Sequence, residues 1–378
     1  MRARPDGFSV AVAALLPAAV LLVSGCTTAD AGSVPENRDP ESPVVDTSVG
    51  VAAAGPPIRG FCLDAPGRSF TARVLDPVAD TGAGWISLTP FAWQRGVHEP
   101  HVGFSPSADR VIWGESDEGL TAIVAAARAR GLSVLLSPHI WLHRSIAGGW
   151  RGDIEMTSET DWQSWFADYR AFILHHARLA ERLHIKILSV GLELRQVAVT
   201  READWRRLID EVRRVYHGKL TYSANWYEEP EKVAFWDALD YIGIQGYFPL
   251  GSDPSPSLDE LRAGWRPHRD RLERLAQRTG KPILFTEIGY KSSRGATVEP
   301  WTWQPQGAPD GDLQARAYQA VLDTFWDEPW FAGLFLWQWQ PGRSLRPSPD
   351  RGDFTPQGKP ALAVVRNYFG RSAPAGVR

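Results

Sequence analysis

Eight short apolar runs, separated by longer stretches with the period of an amphipathic helix, constrain this chain more than any other feature. They read RGFCL (59–63), GWISLTP (84–90), LSVLLSPH (132–139), IKILSVGLE (185–193), KLTYSAN (219–225), DYIGIQGY (240–247), KPILFTE (281–287) and GLFLWQW (333–339). Most are apolar on both faces, the pattern of strands in a parallel sheet covered by helices. Between the third and fourth runs, Trp162, Trp165, Phe166, Tyr169, Phe172, Ile173 and Ala177 fall at i, i+3, i+4, i+7 spacing and form one helical stripe. Trp205, Leu208, Ile209, Val212 and Val215 do the same after the fourth run. Eight strand–helix units over residues 57–372 predict a single (β/α)8 TIM barrel, an α/β fold. A doubly wound open sheet competes with it, but no glycine-rich phosphate-binding turn follows the first run.

The segment before residue 57 reads differently. Arg2 and Arg4 precede the apolar stretch FSVAVAALLPAAVLLV, which is short and interrupted by proline, and LVSGC follows. This tail resembles a bacterial lipobox, which implies a signal peptide over 1–25, cleavage before Cys26, and a diacylglyceryl anchor on its sulfur; a plain secretory peptide cut elsewhere is the alternative. Residues 26–56, rich in Ala, Gly, Ser, Thr, Pro and Asp without an apolar period, read as a flexible tether. The expected location is thus extracytoplasmic, on a bacterial membrane. Cys62 is the one cysteine after Cys26, so no disulfide is expected and a buried thiol is favoured.

In a barrel of this kind the chemistry sits at the C-terminal ends of the strands. Polar residues cluster where the runs end: Asp64, His139, Glu193, Asn225, Tyr247 and Glu287. Glu193 and Glu287 would close the fourth and seventh strands and could face each other across the mouth. Paired carboxyls in an enclosed site are the equipment of glycoside hydrolysis. Each also has a plain structural reading, an ion pair on the rim with a neighbour such as Arg195 or Lys291. The net charge of −3 argues against nucleic acid as a partner, and 17 Trp in 378 residues suggest aromatic platforms beyond those that fill the core. No metal or cofactor site is expected, because the histidines show no paired ligand spacing and the two cysteines do not form a metal pair.

A glutamate closing the fourth run and TEIGY closing the seventh resemble the clan A retaining glycoside hydrolases. More narrowly, SPHIWLH, GGWRGDI, WFADYRAFILHHARLAE, SVGLEL, LTYSANW, DYIGIQGYFPL and KPILFTEIGYKSS resemble glycoside hydrolase family 113, known for endo-β-1,4-mannanase activity. The resemblance implies that Glu193 is the acid/base and Glu287 the nucleophile. Those roles ask Glu193 to hold a proton while Glu287 stays ionised, helped by hydrogen bonds from Tyr247 and Asn225. Retention implies carboxyls roughly 5–5.5 Å apart.

The resemblance also implies hydroxyl-binding roles for His139 and Asn225, with His143, Trp150, Arg151 and Arg195 as further candidates. Sugar chemistry adds Trp337 as the floor of the subsite under attack, Trp226 beside it, and Trp301 and Trp303 on a long rim loop after the seventh strand. Many clan A enzymes place Asn before the acid/base; here it is Leu192, so the contact to the sugar 2-hydroxyl stays unassigned. The expected partner is a poly- or oligosaccharide, β-mannan under the resemblance, acted on by a monomer. The alternatives are a retaining β-glycosidase for another glycan and a carbohydrate-binding lipoprotein without turnover.

Overall fold

The structure, a computed structural model, describes residues 57–143, 149–346 and 350–371. The signal-like segment, Cys26 and the tether lie outside the described residues. Among the described residues, eleven strands run in chain order: β1 (Ile58–Leu63), β2 (Trp85–Leu88), β3 (Phe91–Gln94), β4 (Val102–Gly103), β5 (Ser133–Leu136), β6 (His139–Leu142), β7 (Ile187–Leu192), β8 (Lys219–Asn225), β9 (Tyr241–Gln245), β10 (Ile283–Ile288) and β11 (Phe331–Trp339). Eight of them, β1, β2, β5, β7, β8, β9, β10 and β11, close in that order into a parallel barrel, and each falls on one of the eight apolar runs. The remaining three form a small sheet in the order β4-β3-β6.

Among the helices around the barrel are α1 (Asp76–Ala79), α2 (Asp117–Arg128), α3 (Glu159–Arg182), α4 (Arg195–Thr200), α5 (Glu202–Arg213), α6 (Glu229–Lys232), α7 (Leu258–Thr279), α8 (Gly311–Phe325) and α9 (Ala361–Phe369). Helix α3 starts where the Ser158 hydroxyl accepts from the Asp161 N–H, and α7 starts on a capping box between Ser257 and Glu260. The whole predicted stripe of α3 is buried, and α5 buries Trp205, Leu208, Ile209 and Val212. Stacked pairs such as Trp165 on Tyr169, with ring centroids 4.7 Å apart, fill the layer between helices and strands.

Inside the barrel, Ile58, Cys62, Leu135, Ile187, Leu284, Ala332 and Phe335 pack together, with Trp337 half-buried at their upper edge. Phe335 enters this space because residue 60 is glycine: a Cβ there would sit 2.3 Å from the Phe335 ring. The barrel is therefore a filled core whose free space lies at its mouth.

Candidate active site

Glu193 follows β7 directly and is held by its own backbone. Its N–H donates to the Ser223 carbonyl at 2.8 Å, and its φ of 50° lies in the left-handed region that a glutamate rarely adopts. Just before it, β7 and β8 slip register between Ser189 and Leu192. The carboxyl is 13% exposed and opens to the mouth between two donors. Asn225 Nδ2, at the end of β8, donates to its Oε1 at 2.8 Å, and the Arg151 guanidinium donates to its Oε2 at 3.3 Å. The Asn225 amide faces this way because its Oδ1 accepts from the Tyr227 N–H at 2.9 Å. Asn225 was expected to serve Glu287; it serves Glu193.

Behind these groups lies a second glutamate that sequence reasoning missed. Glu229, at the start of α6, is fully buried, and its two oxygens accept from the Tyr222 hydroxyl and, at 2.6 Å, from the Asn225 N–H. The Tyr222 oxygen in turn accepts from the Leu194 N–H at 2.8 Å. One carboxyl thus fixes the residue after Glu193 and the amide that touches it. Burial pushes Glu229 up to about 8; its two hydrogen bonds oppose that rise and the charge of Glu193 adds to it.

Glu287 sits on β10 in different surroundings. Leu284 points into the barrel and Phe285 outward against Trp265 and Phe325, so simple alternation would send Glu287 outward too. A register shift between Phe285 and Glu287 against β9 resets the alternation, and the carboxyl meets the Tyr247 hydroxyl, which donates to Oε1. Burial pushes Glu287 up to about 8; the Tyr247 bond resists, the charge of Glu193 adds, and Arg151 resists. Burial thus favours the protonated form of Glu287, against the expectation that it stays ionised. Tyr247 stays a neutral donor, since burial and then the neighbouring Glu287 raise its hydroxyl well above the usual range. Beneath them Cys62 is the expected buried thiol, held protonated by burial and by the Glu287 charge.

Neither carboxyl pairs with Arg195 or Lys291, the partners named for the rim-pair reading, although Glu193 does form an ion pair with Arg151 at 3.3 Å. Arg195 goes to Asp153 at 3.1 Å, and Lys291 to the Thr302 and Gln304 carbonyls. His139 stands elsewhere than expected: barrel strand β5 stops at Leu136, and His139 opens β6 of the small sheet. Its imidazole is buried, both ring nitrogens lack a hydrogen-bond partner among the described residues, and burial followed by the Arg151 charge keeps it neutral. An unpaired buried imidazole costs about 1–3 kcal/mol, a cost a ligand hydroxyl would remove.

Trp337 lies near the end of β11, half-buried against the barrel interior. Trp226 stacks on Trp301 with centroids 5.4 Å apart, so the two form one wall, while Trp303 is 48% exposed. Asp64 follows β1 and its N–H donates to the Trp339 carbonyl at 2.9 Å.

The signal for Glu229 was masked by composition. In YEEPEK the acidic run reads as a solvated turn, and nothing in the sequence marks its second member as the one that turns inward. Arg151 was a candidate without an assigned partner, and the 3-10 turn Arg151–Asp153 supplies it.

The chain matches the description of Glycoside Hydrolase Family 113 over residues 68–359. It is similar to the GH113 β-mannanase of Alicyclobacillus acidocaldarius solved in complex with ManMIm, with 29% identity, a TM-score of 0.73, and coverage of 86% of this chain and 99% of that one. A GH113 β-1,4-mannanase structure aligns with 28% identity, a TM-score of 0.73, and coverage of 84% and 100%. A β-glucuronidase of Ruminococcus gnavus shares the fold at 14% identity and a TM-score of 0.56, covering 83% of this chain and 50% of that one. No curated protein matches the chain in sequence. With a barrel of this topology and a match across most of its length, the chain belongs to glycoside hydrolase family 113.

Proposed function

We propose that this glycoside hydrolase is a retaining endo-β-1,4-mannanase, with Glu193 as acid/base and Glu287 as nucleophile. The observation that carries the reading is the meeting of two carboxyls from β7 and β10 at one mouth, near enough for the Glu193 charge to act on Glu287, yet supported by different groups. Tyr247 occupies Glu287 Oε1, which leaves Oε2 to attack the anomeric carbon. As that C–O bond forms, the glycosidic C–O bond breaks and Glu193 gives its proton to the leaving oxygen. Glu193, now a carboxylate, then takes a proton from water, the water oxygen attacks the anomeric carbon, and the ester to Glu287 breaks.

Burial favours the protonated form of Glu287, whereas the proposed turnover needs Glu287 ionised and a proton on Glu193. Arg151, which touches Glu193 and acts at longer range on Glu287, and the charge-neutral His139 are the groups placed to bind hydroxyls beside the two carboxyls.

The mannan assignment rests on the solved GH113 β-mannanases at 27–29% identity. Assays on mannan, glucomannan, cellulose and xylan test it: release of oligosaccharides from mannan is expected, and cleavage of another of these alone would reassign the sugar. Binding of manno-oligosaccharides without cleavage would make the chain a carbohydrate-binding protein. We further propose that the lipobox-like LVSGC leads to a lipid anchor on Cys26 at an extracytoplasmic membrane surface; Cys26→Ala should then release the chain to the soluble fraction.

A further inference from the structure

The small sheet at the barrel mouth has two unlike faces. Ala92, Gln94, Ile140 and Leu142 alternate inward and are buried. On the other face Phe91 pairs with His139 and Trp93 with Trp141, so four rings form a two-by-two grid. Centroids lie 5.3 Å apart for Phe91 and His139, 5.6 Å for Phe91 and Trp141, 6.3 Å for Trp93 and Trp141, and 6.5 Å for Phe91 and Trp93. Exposure rises along the grid, from buried His139 beside Arg151 to Trp93, which is 44% exposed.

A ring that large stays open to water at a cost unless something stacks on it. Beyond Trp93 lies an open hollow of about 320 Å³, bordered by Arg95, Glu99, His101 and His143. The hollow is built on a fixed frame. Gln94 Nε2 donates to the Gly96 and Glu99 carbonyls at 2.8 and 3.0 Å, and its Oε1 accepts from Trp165 Nε1 at 3.0 Å. A face of mutually tilted rings that runs from His139 beside Arg151 to exposed Trp93, ending in a hollow bordered by charged and polar side chains, has the chemistry that recognises pyranoses: apolar C–H faces against an exposed ring and hydroxyls against polar edges.

We propose that the Phe91–Trp93–Trp141 face and the hollow beside Trp93 form a distal subsite that binds sugar units of the same glycan chain beyond those at Glu193 and Glu287. The ligand is a neutral β-linked oligosaccharide long enough to reach from Arg151 past Trp141. This rests on the glycosidase reading for its direction along the chain, but the binding surface can be tested without turnover.

The test is calorimetric binding of the disaccharide and hexasaccharide of the manno-, gluco- and xylo- series to the full chain carrying Glu287→Gln, with and without Trp93→Ala. Because Trp93 is surface-exposed and its backbone neighbours are held by Gln94, the substitution leaves the core untouched; a melting curve checks this. The expected result is that Trp93→Ala weakens one hexasaccharide about tenfold relative to the matching disaccharide, the loss of one ring contact. Equal affinities with and without Trp93 across the three hexasaccharides, including no binding by either, overturn the proposal, as does an equal loss for short and long ligands. Self-association that Trp93→Ala abolishes, without any sugar effect, would assign the face to a second copy and also overturn it. If the unmodified enzyme cleaves none of these glycans while the hexasaccharide effect persists, the turnover reading fails and the distal subsite stands.

Discussion

The two sides of the barrel mouth hold the same carboxyl in opposite ways. On the β7–β8 side, Glu193 meets a guanidinium, an amide and a strained backbone, and a buried Glu229 braces the last two. On the β9–β10 side, Glu287 has one phenol and an apolar barrel beneath it. Glu193 thus has polar partners on both oxygens, while desolvation raises the pKa of Glu287 and favours its protonated form. Chemically identical groups acquire different surroundings, and under the proposed double displacement Glu287 must give up its proton before it attacks.

The largest expected effect breaks the apolar side. Glu287→Gln should lower kcat by about 10⁴-fold or more while ligand binding remains measurable by calorimetry, because the group that forms the covalent bond is gone. Glu193→Gln breaks the polar side, with an expected loss of about 10²–10⁴-fold on natural substrates. That loss should shrink for aryl glycosides whose leaving group departs without a proton, which kinetics on a leaving-group series would measure.

A third prediction concerns stability against pH. Folded Glu287 and Glu229 keep their protons up to about 8, whereas an unfolded carboxyl releases its proton near 4.5. Between these values the folded chain binds more protons than the unfolded one, so stability falls as pH rises from about 4.5 to about 8. Glu287→Gln removes one of the two contributions. It should match the parent in denaturant melts at pH 4 and exceed it at pH 8 by on the order of 2 kcal/mol, discounted for the opening to solvent. The smallest effect sharpens the brace: Glu229→Gln, which loses one acceptor, should lower kcat about tenfold with KM little changed, and Glu229→Ala should lower it further. A pH–rate profile unchanged by both would leave Glu229 as packing alone.

The fold was legible because a closed parallel barrel writes itself as apolar runs and helical stripes, and the stripe of α3 was read residue by residue. The pair Glu193 and Glu287 was legible as strand-end carboxyls. What lay hidden were features set by register and by chain reversal. The slips ahead of Glu193 and at Glu287 change which way a side chain points without changing a residue type. His139 looked like the end of a barrel strand because Ser137 and Pro138 leave the apolar run unbroken to the eye, yet they end β5 and let β6 begin. Glu229 was hidden because burial of a carboxyl depends on Tyr222 and Asn225 arriving beside it, which no local pattern records.

The measurement closest to the centre of this account is trapping with an activated 2-deoxy-2-fluoro-β-mannoside, followed by mass mapping of the peptides. Reaction through Glu287 predicts one added sugar on the peptide that carries it, lost in Glu287→Gln and slow to hydrolyse in Glu193→Gln. A sugar attached to another residue, or product released with inverted anomeric configuration and no adduct, would contradict the assignment.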